Sequence, residues 1–202
     1  MSTADQHRGE EPFDRRTFLH LAALSAFSVL PISDGVFAEQ TEFSTYMGPI
    51  SLGFSFAYPS NWAVKKKPIK THLSEVIVTS DKDPATTAGL VVDTVKIDTI
   101  EKFGTPEVVG NKVVQVETKK ENVNSATVQS ASSETKDGLV YYTLDYTVDS
   151  SRGVKRYLAK VTVTGGQLYV LTAQARVDKF DKETSENFDK MLDSFNVKKQ
   201  YT

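Results

Sequence analysis

The sequence predicts an α+β fold built on a largely antiparallel sheet, and three observations carry that prediction. Segments of alternating apolar and polar residues are joined mainly by tight glycine turns, as hairpins are. Only two stretches show the apolar periodicity of a helix. Those two stretches lie far apart instead of alternating with strands, which sets the chain apart from parallel α/β proteins.

The elements follow in order. Phe54-Ser55-Phe56-Ala57-Tyr58 alternates and stops at Pro59, with Trp62 just past the turn. Glu75 to Thr79 and Leu90 to Ile97 are strand-like, joined by a loop from Asp81 to Thr87 that contains Pro84. A helix is announced by Thr105 as N-cap, Pro106 at the first helical position and Glu107 near the positive helix end. Val109, Val113 and Val116 form its predicted apolar stripe. Valine is a mediocre helix former, so this helix is expected to depend on packing against a sheet. Thr127 to Ser133 then leads through Lys136-Asp137-Gly138 into Leu139 to Val148, where Tyr142, Leu144 and Tyr146 share a face. Asp149 to Gly153 turns the chain, and Gly165-Gly166 joins Val154–Thr164 to Gln167–Ala175. The last element is an amphipathic helix capped by Asp181 or Thr184, with Phe188, Met191, Leu192 and Phe195 as its stripe.

The N-terminus carries a different message. Arg15-Arg16 stands before Thr17-Phe18-Leu19 and an apolar run from Leu19 to Leu30. That run is short of the ~20 apolar residues of a membrane span. It ends at Pro31 and leads to Val36-Phe37-Ala38, a peptidase-like site. Charged, apolar and small-residue segments in this order form a removable signal, and paired arginines point to the twin-arginine route. Residues 1–38 are therefore expected to be a targeting signal marked by Arg15, Arg16 and Ala38. Residues 39–51 follow as an N-terminal segment, and 52–199 as one domain. The stretch before the arginines is short and acidic, unlike a chloroplast transit peptide.

Composition narrows the chemistry. From Glu39 onward acidic and basic side chains are equal in number, so no broad basic field exists to hold nucleic acid. The absence of cysteine excludes disulfides, thiolate metal sites, Cys nucleophiles and a lipid on an N-terminal cysteine. Of the three histidines, His7 and His20 lie in the signal, and His72 in Lys70-Thr71-His72 is expected to be solvated. No nucleophile elbow, phosphate loop or dinucleotide fingerprint occurs. Asp81-Lys82-Asp83 and Asp178, Asp181, Glu183 do not match a calcium loop and are expected to be a solvated loop and a helix start. Catalysis is not expected. Two basic groups remain: Lys65, Lys66, Lys67 and Lys70 after Trp62, and Arg152, Lys155 and Arg156 at a hairpin tip. Such groups can steer docking to an acidic protein surface without any net charge.

Together these residues resemble the PsbP family of thylakoid-lumen proteins. The likeness is carried by Phe54 to Trp62 with its Pro-x-x-Trp end, by Phe103-Gly104-Thr105-Pro106, by Tyr141-Tyr142-x-Leu144, by Gly165 to Ala175, and by Asp193-Ser194-Phe195. It runs essentially from Leu52 to Val197. The resemblance implies a six-stranded or similar antiparallel sheet flanked by helices in an α-β-α sandwich. It implies a monomeric, non-enzymatic extrinsic protein of the chloroplast thylakoid lumen, or of a cyanobacterial lumen or periplasm, held peripherally through protein contacts. Its implied partner is the lumenal face of a photosystem, photosystem II first, whose assembly, repair or stability it would support. The alternative it implies is an oxygen-evolving-complex subunit that retains calcium and chloride, which makes calcium the one cofactor suggested. Two positions depart from the family's pattern. Arg156 stands where the principal members carry a His associated with metal, and Lys179-Phe180 replaces an Arg-Trp pair. A diverged PsbP-like member is therefore expected.

Overall fold

In a computed structural model of the chain, the structure describes residues 41–66 and 72–200. Arg15, Arg16, Ala38, Lys67 and Lys70 lie outside the described residues. The elements run β1 (Phe43–Met47), β2 (Phe54–Pro59), β3 (Ala63–Lys66), β4 (Ser74–Thr79), β5 (Thr87–Thr94), α1 (Pro106–Glu117), β6 (Val123–Lys136), β7 (Leu139–Ser150), β8 (Gly153–Thr164), β9 (Gln167–Arg176), α2 (Lys182–Ser194) and β10 (Asn196–Val197). A 3-10 turn, Ile100–Phe103, precedes α1.

Seven strands form one antiparallel sheet in the order β3-β4-β5-β9-β8-β7-β6, and β1-β2-β10 form a second, three-stranded one. The predicted hairpin turns are where the glycines put them. Asp137 and Gly138 both have positive φ (52° and 74°), the geometry of a two-residue hairpin loop. Period-two alternation then sorts each central strand between two cores. On one face Tyr141, Leu158, Tyr169, Leu171 and Ala173 pack against Phe54 and Phe56 of β2 and Phe188, Met191 and Phe195 of the α2 end. On the other face Leu144, Tyr146 and Val148 pack against Val109, Val113 and Val114 of α1. With helical layers on both faces, this is an α-β-α sandwich in which the small sheet shares one layer with α2.

Side-chain hydrogen bonds pin the layers together. Val197 N–H donates to the buried Tyr141 hydroxyl at 3.0 Å, tying β10 to the large sheet. Tyr142 donates to the Gly104 carbonyl at 2.9 Å at the entrance to α1. Gly104 itself has φ +120°, and a Cβ there would lie 2.7 Å from a Val108 methyl, so glycine is required.

Several details correct the sequence expectations. The N-terminal segment assigned to residues 39–51 contains a strand of the fold, Phe43–Met47, which pairs along β2 from Phe43↔Pro59 to Met47↔Ser55. β3 and β10 are further short strands that local patterning does not announce, since all four residues of β3 are exposed and β10 has only two. β5 starts at Thr87 and ends at Thr94, because its register along β9 closes at Thr94↔Gln167. β6 is longer than its apolar core, its alternation being broken by two register irregularities near Val123 and Val128. In α1, Val116 is 59% exposed and Val114 takes its place against the sheet, because the contact face is centred on the buried Gly110, one turn before Val114. Asp181 is the cap of α2, accepting from Thr184 N–H at 2.8 Å.

Candidate functional site

The two basic groups do not converge. Lys65 and Lys66 project from β3, the outer edge of the large sheet, in a fully exposed strand. Arg152 sits exposed in the β7–β8 turn. Four strand spacings separate β3 from β8, roughly 19 Å at ~4.8 Å per strand. Lys155 and Arg156 are neighbours on β8 and therefore point to opposite faces of the sheet. One cationic face is thus an edge strand, and the other a single exposed arginine at a hairpin tip.

Arg156 is held inward. Its Nε and Nη2 donate to Asp145 Oδ1 and Oδ2 at 3.0 and 2.6 Å, a fork-to-carboxylate pair across β8 and β7. Its guanidinium also lies 4.4 Å from the Phe180 ring centre. The two positions that depart from the family's pattern are therefore in direct contact. Phe180 in turn packs edge-on against Phe188 of α2 at 5.7 Å. Arg156 and Asp145 line a cleft of ≈ 300 Å³ between the sheet and α2, together with Lys160, Asp189 and Asp193. Lys160 is buried and ion-paired to Glu134. No sequence pattern singles Lys160 out: it occupies an ordinary alternating position of β8, and only the α2 overlay makes it internal.

This arrangement does not suit calcium at the position the resemblance associates with metal. Asp145 already receives a fixed guanidinium charge there. Among the described residues no group of three or more acidic or histidine side chains converges as a metal cage.

His72 is not simply solvated. Its Nδ1 lies 2.6 Å from Asp93 Oδ1 with both side chains about a third exposed (35% and 37%), because Leu73 pairs onto β5 and brings the ring to Asp93. The two acidic segments meet: Lys82 Nζ reaches Glu183 at 2.7 Å and bridges the β4–β5 loop to the start of α2. Asp83 caps its own loop, accepting from Ala85 N–H at 3.0 Å and from the Thr86 hydroxyl at 2.9 Å. The Ala85 N–H, seconded by Thr86, holds the Asp83 carboxyl below its ordinary range, and the Thr184 N–H does the same for Asp181.

A depressed carboxylate contributes stability that is fully present above the unfolded value of ~3.9 and is lost as pH falls through the folded one. Asp83→Asn keeps the shape and an acceptor but removes the charge. It should therefore melt below the wild type at neutral pH, the gap closing in acid. Melting temperature as a function of pH checks this, and a gap independent of pH would show that the charge is not responsible.

Comparison with known proteins places the chain. PsbP domain-containing protein 2, chloroplastic, of Arabidopsis thaliana is 29% identical over 150 residues, covering 72% of this chain and 62% of that protein. CyanoP of Thermosynechococcus vestitus is 27% identical over 154 residues, covering 72% and 81%. PsbP-like protein 1, chloroplastic, of Arabidopsis thaliana is 22% identical, covering 71% and 60%. The chain thus spans less than two thirds of either Arabidopsis relative. The solution structure of cyanobacterial PsbP (CyanoP) from Synechocystis sp. PCC 6803 has the same fold, with a TM-score of 0.64 at 23% identity over 80% of this chain and 96% of that one. A family model described as PsbP matches residues 41–197, and the chain belongs to the PsbP family.

Proposed function

We propose that this protein is a non-enzymatic extrinsic protein of the thylakoid lumen that associates with photosystem II and supports its assembly, repair or stability. Family membership across residues 41–197 carries this reading. The relatives named chloroplastic and the cyanobacterial CyanoP support a photosynthetic compartment. In this reading residues 1–38 are a twin-arginine signal, removed near Ala38, and the remaining protein is a monomer that reaches the membrane through protein contacts. Among the described residues no helix is long and apolar enough to cross a bilayer.

The geometry favours Lys65 and Lys66 as the docking cations, with Lys67 and Lys70 following them in the chain. Lys65 and Lys66 line an exposed sheet edge, and lysines on an edge discourage indiscriminate strand pairing while leaving charge free for a chosen partner. Arg152 adds a second contact at the hairpin tip, with Lys155 beside it. Arg156 contributes by shaping the cleft, since its guanidinium is engaged by Asp145 and Phe180. That engagement also weighs against a subunit whose role is to retain calcium.

The test is recovery of complexes from detergent-solubilised thylakoids with the tagged protein at low and high salt. Photosystem II should be captured at low ionic strength and released on going toward ~1 M salt, where the Debye length contracts to ~3 Å. Lys65→Glu with Lys66→Glu should reduce capture at low salt. Salt-insensitive capture would remove the lysines from the interface, and capture of no photosynthetic complex would overturn the function itself.

A further inference from the structure

The two faces of the large sheet are not equally covered. On the α1 side, α1 lies over β6 and β7, and the 3-10 turn lies over β7 and β8. Farther along that side, Ile77 of β4, Val91 of β5 and Val170 and Thr172 of β9 keep part of their surface open to solvent. Val76, Leu90 and Leu171 on the reverse are completely buried. Gly89 sits in the middle of this half-open area, paired with Ile77 on one side and Thr172 on the other. The fold does not call for a glycine there. Its φ lies outside the left-handed region, and an added Cβ would make ordinary contacts, 3.4 Å from the Val76 carbonyl oxygen and 3.5 Å from Ile77 Cγ1. Glycine weakens the interior of a strand, and where the backbone does not need it, it marks a place of close approach by another group.

The charge left unpaired on this side is positive. Lys65 is directly opposite Ile77 and shares its face, and Lys155 faces the α1 side because Arg156 faces α2. Asp93 is held by His72, Arg176 is paired with Asp178, and Glu75 has a partner of its own. Lys65 and Lys155 make no ion pair among the described residues. Lys65 lies two strands from Gly89 in the same cross-strand row, about 10 Å away at ~4.8 Å per strand. Between the Ile77 and Thr172 side chains Gly89 exposes a flat strip of backbone. A glycine in a sheet is stabilised when an aromatic side chain from the neighbouring strand lies over it. Here neither cross-strand neighbour is aromatic, so the strip is left for a ring from outside the chain.

We propose that the outer face of β4, β5 and β9 docks a protein partner, which lays an aromatic side chain flat over Gly89 and sets an acidic residue beside it within reach of Lys65. Ile77, Val91 and Val170 frame the ring with hydrocarbon, and aromatic residues are enriched at the centres of protein interfaces. The unpaired Lys65 and Lys155 on either side select an acidic surface around it. The proposal rests on the reading that Lys65 is a docking cation, and it names the surface that completes the contact.

The experiment compares capture of photosystem II from detergent-solubilised thylakoids at low salt by the tagged full chain, by Gly89→Val and by Thr172→Phe, alongside the melting temperature of each. Valine suits a strand, and a phenylalanine at position 172 can cover Gly89 from the neighbouring strand, so neither variant should melt below the wild type. Both fill the recess while leaving Lys65 in place, and capture should fall by at least roughly tenfold. Undiminished capture by a variant that melts at or above the wild type overturns this docking surface and leaves the photosystem reading standing. Melting below the wild type in both variants also overturns it, because the fold itself would then require the glycine. If only one variant melts lower, the other decides. No capture by the wild type overturns the photosystem reading, and this surface with it.

Discussion

Phe188→Ala will cost about 3–5 kcal/mol of stability, a large part of the ~5–15 kcal/mol of an ordinary domain. Phe188 is fully buried in the core between α2 and the sheets. Its ring meets Trp62 edge-on at 6.4 Å and Phe180 at 5.7 Å, contacts worth ~0.5–1.5 kcal/mol each beyond simple burial. The cavity left by alanine cannot close readily, because β2, β8 and β9, against which α2 packs, are held by their own pairings. Urea unfolding should show a lower midpoint with an unchanged slope. Phe188→Leu, which keeps much of the volume, should recover more than half of the loss. A loss below ~1 kcal/mol for alanine would mean that α2 contributes little to the core.

Arg156→Ala will be the next most damaging change, at about 1–3 kcal/mol. Breaking a fully buried ion pair costs ~3–5 kcal/mol, and the figure is reduced here because the Arg156 side chain is 38% exposed while Asp145 is 13% exposed. The alanine variant leaves Asp145 without its cation in a cleft it shares with Asp189 and Asp193, and leaves Phe180 without its cation. Arg156→Lys keeps the charge but loses both the fork and the flat stacking surface, and should fall between the two. A double-mutant cycle with Asp145→Ala measures the pair directly, and a coupling of about 1–2 kcal/mol is expected. Coupling near zero would show that the bidentate geometry adds no stability.

Much of this architecture was legible because its signals are local. The alternation of β7 announced that Tyr142, Leu144 and Tyr146 share a face, and they do, against α1. Lys136-Asp137-Gly138 announced a hairpin, and the positive φ of its last two residues shows why. Thr105 announced one helix start and Asp181 or Thr184 the other, and the structure assigns the second cap to Asp181. What went unread has a common character. β1, β3 and β10 are short edge or flanking strands whose pairing, not their own pattern, makes them strands. His72 was placed in a polar loop, but its Asp93 partner is brought to it by the neighbouring strand.

The amino-acid sequence by itself determined the fold class, both helix starts, the principal hairpins and the family, because periodicity, caps and turn residues act within a few positions of the chain. Only the tertiary structure decided that the two basic groups stand apart and that Arg156 and Phe180 touch. Those outcomes depend on strand order and on which layer covers which face, and both are set by contacts between residues far apart in the chain.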